Sequence, residues 1–169
     1  GKAATEAGLF GVKNAHLEGI ALLGPRRILL AVEREPRGLI EVSWEEGADE
    51  DEPQIKAWAT DETMLTLPEP RAVDFADLHL DGGGLYALVR NADAVVPIEW
   101  SEGHLEELDE WSFRHVVEDS AYAYSNQTFG KAEGLAMDDE RVYIVLDNNG
   151  QARLADDTDT RSQLLIFTR

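Results

Sequence analysis

Four carboxylates recur at matched positions. Glu18 and Glu133 each precede a glycine, and Glu33 and Asp147 each close an apolar run that follows. Acids gathered around one axis repel unless a hard cation joins them, and calcium accepts roughly six to eight oxygen ligands. A calcium ion there would polarise a phosphoryl oxygen and acidify a bound water, the chemistry of metal-assisted hydrolysis. Glu18, Glu33, Glu133 and Asp147 are therefore the metal-ligand candidates. The plainer reading is a repeated brace, with each Glu accepting backbone N–H groups of a neighbouring element. Arg34 and Arg90 follow the same apolar runs, and a forked guanidinium suits a small anionic substrate. His79 is the candidate general base, against the alternative of a packed histidine. The middle copy interrupts the pattern: Ala76 stands where the Glu would be, and Arg90 where the acid would be.

Other chemistries find less support. No His-x-x-x-His pair points to zinc, and no Gly-x-Ser-x-Gly elbow points to a serine hydrolase. Gly82, Gly83 and Gly84 lack the following Lys-Ser/Thr of a phosphate loop and read as a turn. The stretch 147–162 carries Asn148, Asn149, Asp156, Asp157 and Asp159, but its spacing departs from an EF-hand, so a solvated acidic loop is preferred. The stretch 45–52 reads as a second such loop.

The elements that position these residues come from internal repetition. Glu18-Gly19-Ile20-Ala21, a turn and the run from Ile28 to Val32 match Glu133-Gly134-Leu135-Ala136, a turn and the run from Val142 to Leu146. A third copy, from Ala76 to Val89, lies between them, so that Ile20, Leu78 and Leu135 are spaced by 58 and 57 residues. The runs are short, rich in Val, Ile, Leu and Tyr, and bounded by Gly, Pro, Asp and Asn, which predicts strands. Third strands are expected at Leu39 to Val42, Val95 to Trp100 and Leu164 to Phe167, with fourth strands at Ile55 to Thr60 and Leu105 to Phe113. Four antiparallel strands per repeat is the pattern of a propeller blade. Pro97 falls inside a third strand, which predicts a bulge or a shift there. Leu105, Leu108 and Trp111 also fit a short amphipathic helix; a strand is preferred.

Composition bounds the function. The 169 residues include 34 acidic and 15 basic side chains, a formal net charge of -19, and no cysteine. That charge argues against phosphate-driven nucleic-acid binding and against docking on an anionic membrane. No apolar run approaches the roughly 20 residues that cross a bilayer. The opening Gly1-Lys2-Ala3 reads as a processed end or a tag scar, leaving a removed export signal open.

The segments Leu17-Glu18-Gly19-Ile20-Ala21, Leu30-Ala31-Val32-Glu33-Arg34-Glu35 and Ala132-Glu133-Gly134-Leu135-Ala136, with the closing stretch from Val145 to Phe167, resemble the esterase-like-activity-of-phytase family of bacterial β-propellers. The resemblance spans the chain but only about half of a family member. It implies an all-β fold, ester or phosphoester hydrolysis, and a periplasmic or secreted location, with a cytoplasmic one left open. The expected architecture is three four-stranded blades, at about 14–66, 72–118 and 130–169, forming half of a six-bladed ring. Either the N-terminal half of the same propeller or a second copy would complete it. The expected function is a calcium-dependent phosphoesterase, or else a non-catalytic propeller that binds a ligand or protein.

Overall fold

A computed structural model describes residues 2–13, 15–47, 53–101 and 103–169. The chain is all-β, with three antiparallel sheets laid down in sequence order. Sheet 1 runs β1 (Leu17–Gly24), β2 (Arg27–Val32), β3 (Arg37–Ser43), β4 (Gln54–Thr60). Sheet 2 runs β5 (Asp77–Asp81), β6 (Gly84–Val89), β7 (Ala94–Ser101), β8 (His104–Glu107), and β9 (Trp111–Ser112) also pairs with β7. Sheet 3 runs β10 (Ala132–Met137), β11 (Arg141–Leu146), β12 (Gln163–Thr168). Sheet 3 has three strands, in line with fourth strands being expected only in the first two repeats, so the four-stranded pattern is not met in all three; the outer position of sheet 2 is filled by two pieces.

Sheet 2 lies between the other two, which explains its nearly unbroken apolar strands. Leu78, Leu85, Ala87, Val89 and Val96 pack toward Ala21, Leu29 and Leu39 of sheet 1. Ala76, Leu88 and Val95 pack toward Leu135, Val142, Ile144 and Leu146 of sheet 3. The first strands lie side by side, β5 between β1 and β10. At Gly19 the approach is so close that a Cβ would lie 2.7 Å from the Leu78 nitrogen and 2.8 Å from the Asp77 carbonyl carbon. On the far side of the contact, the Leu135 N–H donates to Asp77 Oδ2 at 2.8 Å. A second tie lies farther out: Arg37, wholly buried beneath Phe75 with its guanidinium 4.4 Å from the ring centre, donates to Glu107 Oε1 at 2.5 Å.

Local chemistry accounts for the hairpins and irregularities. Gly82 and Gly83 form the two-residue turn between β5 and β6, with φ of 56° and 85°, as the strand twist favours. The register slips between Leu17 and Gly19 and again between Ala132 and Gly134, so Glu18 and Glu133 are the extra residues of matched bulges. Toward β6 the register of Pro97 with Tyr86 continues unbroken from Val96 to Ile98, whereas on the outer side the ladder slips by one residue between Ile98↔Glu107 and Val95↔Trp111, so the expected irregularity lies on one side of Pro97 only. Its carbonyl accepts from the Leu108 N–H at 2.9 Å, so the side that lacks an N–H faces the gap between β8 and β9. The stretch read as strand or helix is strand at β8 and β9; a one-turn helix, α2 (Arg114–Val117), follows it.

Another short helix, α1 (Lys2–Glu6), was not foreseen. Ala4 and the following Leu9 cover Val32 and Ile40 on the outward face of sheet 1. No described helix is long and apolar enough to cross a membrane.

Candidate functional site

The inner ends of the three sheets meet at one guanidinium. Arg90 follows β6 and opens a tight turn through Ala92. Its Nε donates to Asp74 Oδ2 at 3.0 Å. Nη1 donates to Glu133 Oε1 and Oε2 at 2.9 and 3.1 Å, and Nη2 donates to Glu33 Oε1 at 2.6 Å. Glu33 follows β2, Asp74 precedes β5 and Glu133 is the bulge residue of β10, so one planar fork ties all three sheets. Only arginine carries enough fixed donors to do this. The turn itself is clamped: the Asn91 N–H donates to Asp74 Oδ1 at 3.0 Å, its side chain donates to the Ala72 carbonyl at 2.9 Å, and it accepts from the Gly130 N–H at 3.2 Å. Gly130 presses on the Arg90 carbonyl so closely that no side chain would fit there.

Burial shapes the electrostatics. Asp74 is fully buried, and desolvation pushes its carboxyl up to about 6 despite the opposing charge of Arg90 and the Asn91 N–H. Desolvation works against the charge of Arg90, but Asp74 and Glu133 outweigh it and hold the guanidinium above its ordinary value. Lys131 is lowered by burial, with the charge of nearby Asp147 opposing that shift.

These residues follow the repeat. Glu33, Arg90 and Asp147 are separated by 57 residues each; His16, Asp74 and Lys131 by 58 and 57. The position closing the second strand therefore alternates acid, base, acid, and the position ahead of the first strand changes with it. Asp74 facing Arg90 becomes Lys131 facing Asp147 with the polarity reversed. Sequence reading missed Asp74 and Lys131. The same spacing would have found them had opposite charge, rather than identical residue type, been sought.

Beside Arg90 opens a polar cleft of about 560 Å³, lined by Glu18, Glu33, Arg34, Glu35, Phe129 and Asn149 among others. Of the four metal-ligand candidates, Glu33 and Glu133 meet on Arg90, Glu18 lines the cleft, and Asp147 neighbours Lys131. Among the described residues no three Asp, Glu or His side chains are gathered to hold a metal ion. The donor set as it stands does not fit calcium, since the oxygens of Glu33 and Glu133 face a guanidinium. Arg34 lines the cleft and is ion-paired with Glu33. His79 is half-buried on β5 opposite Tyr86 and does not line the cleft. Glu35 and Asn149 both do, and both adopt left-handed backbone, with φ of 57° and 50°. For glutamate this conformation costs about 1–2 kcal/mol.

The acidic loops are held by protein groups where described, and 147–162 is bridged to 121–125 through Tyr124 and Arg153. Asp156 Oδ1 accepts from the Thr158 N–H and hydroxyl at 2.9 and 2.7 Å. Arg161 holds the Asp159 carboxyl well below the usual carboxylate range. In the stretch 45–52, the Glu45 carbonyl accepts from Arg26 at 2.7 Å, while 48–52 lie outside the described residues.

Comparison with known proteins identifies no relative: no family model, no curated protein and no solved structure matches the chain.

Proposed function

We propose that the three sheets are consecutive blades of a β-propeller and that the chain is a non-catalytic binding module, its site the polar cleft beside Arg90. The blade reading is supported by three sequential meanders whose first strands lie side by side and whose faces pack in series. One observation carries the binding reading. The guanidinium that would have held a substrate phosphate already bonds Glu33, Asp74 and Glu133, and it bridges sheets. The cleft that remains presents the exposed carboxylate of Glu35 and the exposed ring of Phe129. That pair suits a ligand bearing an amine or a guanidinium, held by charge on one side and the aromatic face on the other. The left-handed backbone at Glu35 and Asn149 also favours a ligand site, where such conformations concentrate.

The alternative carried by the family resemblance is a calcium-dependent phosphoesterase. Hydrolysis of a generic phosphomonoester, with and without millimolar calcium, separates the two, alongside thermal melting in a calcium titration. The binding reading expects no turnover and no rise in melting temperature. Calcium-dependent turnover would overturn it.

A further inference from the structure

Sheets 1 and 3 each leave an apolar surface facing away from sheet 2. On β1, Ile20 and Leu22 are 61% and 65% exposed, because α1 and Leu9 cover only the part of that face over β2, β3 and β4. On sheet 3, Val145, Leu164 and Ile166 project outward and are about half exposed. At the edge of the sheet 1 face stands Glu18, exposed and without a hydrogen bond or ion pair among the described residues.

Its counterpart shows what it lacks. Glu133 occupies the same bulge of sheet 3 and takes two hydrogen bonds from Arg90, the residue closing the second strand of the preceding sheet. We infer that the outward face of sheet 1 docks a further β-sheet that carries an arginine or lysine where sheet 2 carries Arg90. Ile20 and Leu22 pack against its apolar face, and Glu18 receives the basic group. The inference rests on the serial stacking described above, and it continues an interface the chain already makes twice.

Charge decides against a second copy as the occupant. Stacking the outward face of sheet 3 on sheet 1 of another molecule would bring Asp147 to the place of the base, facing Glu18 and Glu33 of that molecule. Asp147, with its own neighbour Lys131 beside it, would then face Glu18 carboxylate to carboxylate, at the place where Arg90 gives Glu133 two hydrogen bonds in the observed junction. Like charges placed face to face exclude partners in this way.

Sedimentation velocity on the whole chain tests the rule. The wild type is expected to remain monomeric at concentrations where Glu18→Arg doubles in mass, because the introduced guanidinium then offers Asp147 of a second molecule the missing cation; the association should weaken in high salt. Adding Asp147→Arg or Ile166→Lys to that variant is expected to return it to monomer. Glu18 is exposed, so the single substitution leaves the fold intact, and circular dichroism verifies this. A monomeric Glu18→Arg protein, a wild-type dimer, or an association that survives both second substitutions would overturn the inference. The readout is mass, so a hydrolysis result at the cleft, for or against, leaves it separately decided.

Discussion

Arg90 and Glu133, 43 residues apart in sequence, are joined by two hydrogen bonds of 2.9 and 3.1 Å between Nη1 and the two carboxylate oxygens. The bond spans sheets 2 and 3, and the same guanidinium reaches Glu33 of sheet 1. Removing it strands Asp74 without its cation in a fully buried position. Arg90→Met is expected to cost about 3–5 kcal/mol, the range for breaking a buried pair at one partner. Glu133→Gln, at the partly exposed end of the network, is expected to cost only about 1 kcal/mol. Urea unfolding of both variants checks the order, and equal losses would contradict a central role for Arg90.

The Asp74 carboxyl gives stability a distinctive pH dependence. Its value rises from 3.8 to about 6 on folding, so between those limits the native state binds more protons than the unfolded chain. The sign follows: the contribution of this group is greatest below pH 3.8 and is lost as the pH rises through about 6. This runs opposite to the usual behaviour of a salt-bridged aspartate. Asp74→Asn should flatten that part of the curve, so the stability difference between wild type and variant changes between about pH 4 and 6, as followed by denaturant unfolding at fixed ionic strength. A constant difference across that window would show that Asp74 titrates normally.

Close approach of β1 to β5 depends on the missing side chain at Gly19, where a Cβ would strike backbone rather than a movable side chain. Gly19→Ala is expected to destabilise by about 1–3 kcal/mol, the cost of overpacking. Gly24, on the same strand but with nothing within 4 Å of a built Cβ, supplies the control. Gly24→Ala should be near neutral in the same unfolding experiment.

The strands were legible because their physics is local. The runs from Ile28 to Val32 and from Val142 to Leu146 are aliphatic and bounded by turn residues, and the Gly82-Gly83 pair specifies its own hairpin. Pro97 foretold the irregularity but not its side: a strand ladder has two sides, and the break lies on the outer one, between β8 and β9, while the pairing with β6 is continuous. The Arg90 network was half visible. Glu33, Glu133 and Arg90 stood out as repeated or conspicuously altered positions, whereas Asp74 sits alone between Val73 and Phe75 with nothing local to mark it. Its meaning depends on a partner 16 residues away whose sign is opposite. Helix α1 escaped because five residues, even with helix-favouring Ala, Lys and Glu among them, are too few to make a helix without the sheet surface that Ala4 and Leu9 cover.

The alternating sign of Glu33, Arg90 and Asp147 limits how such an array can grow. A tandem duplication that reproduced one unit verbatim would place identical ions in register and drive the new copies apart. Elongation by copying therefore requires a compensating reversal at this one site, and sequence divergence there is a condition of assembly rather than drift.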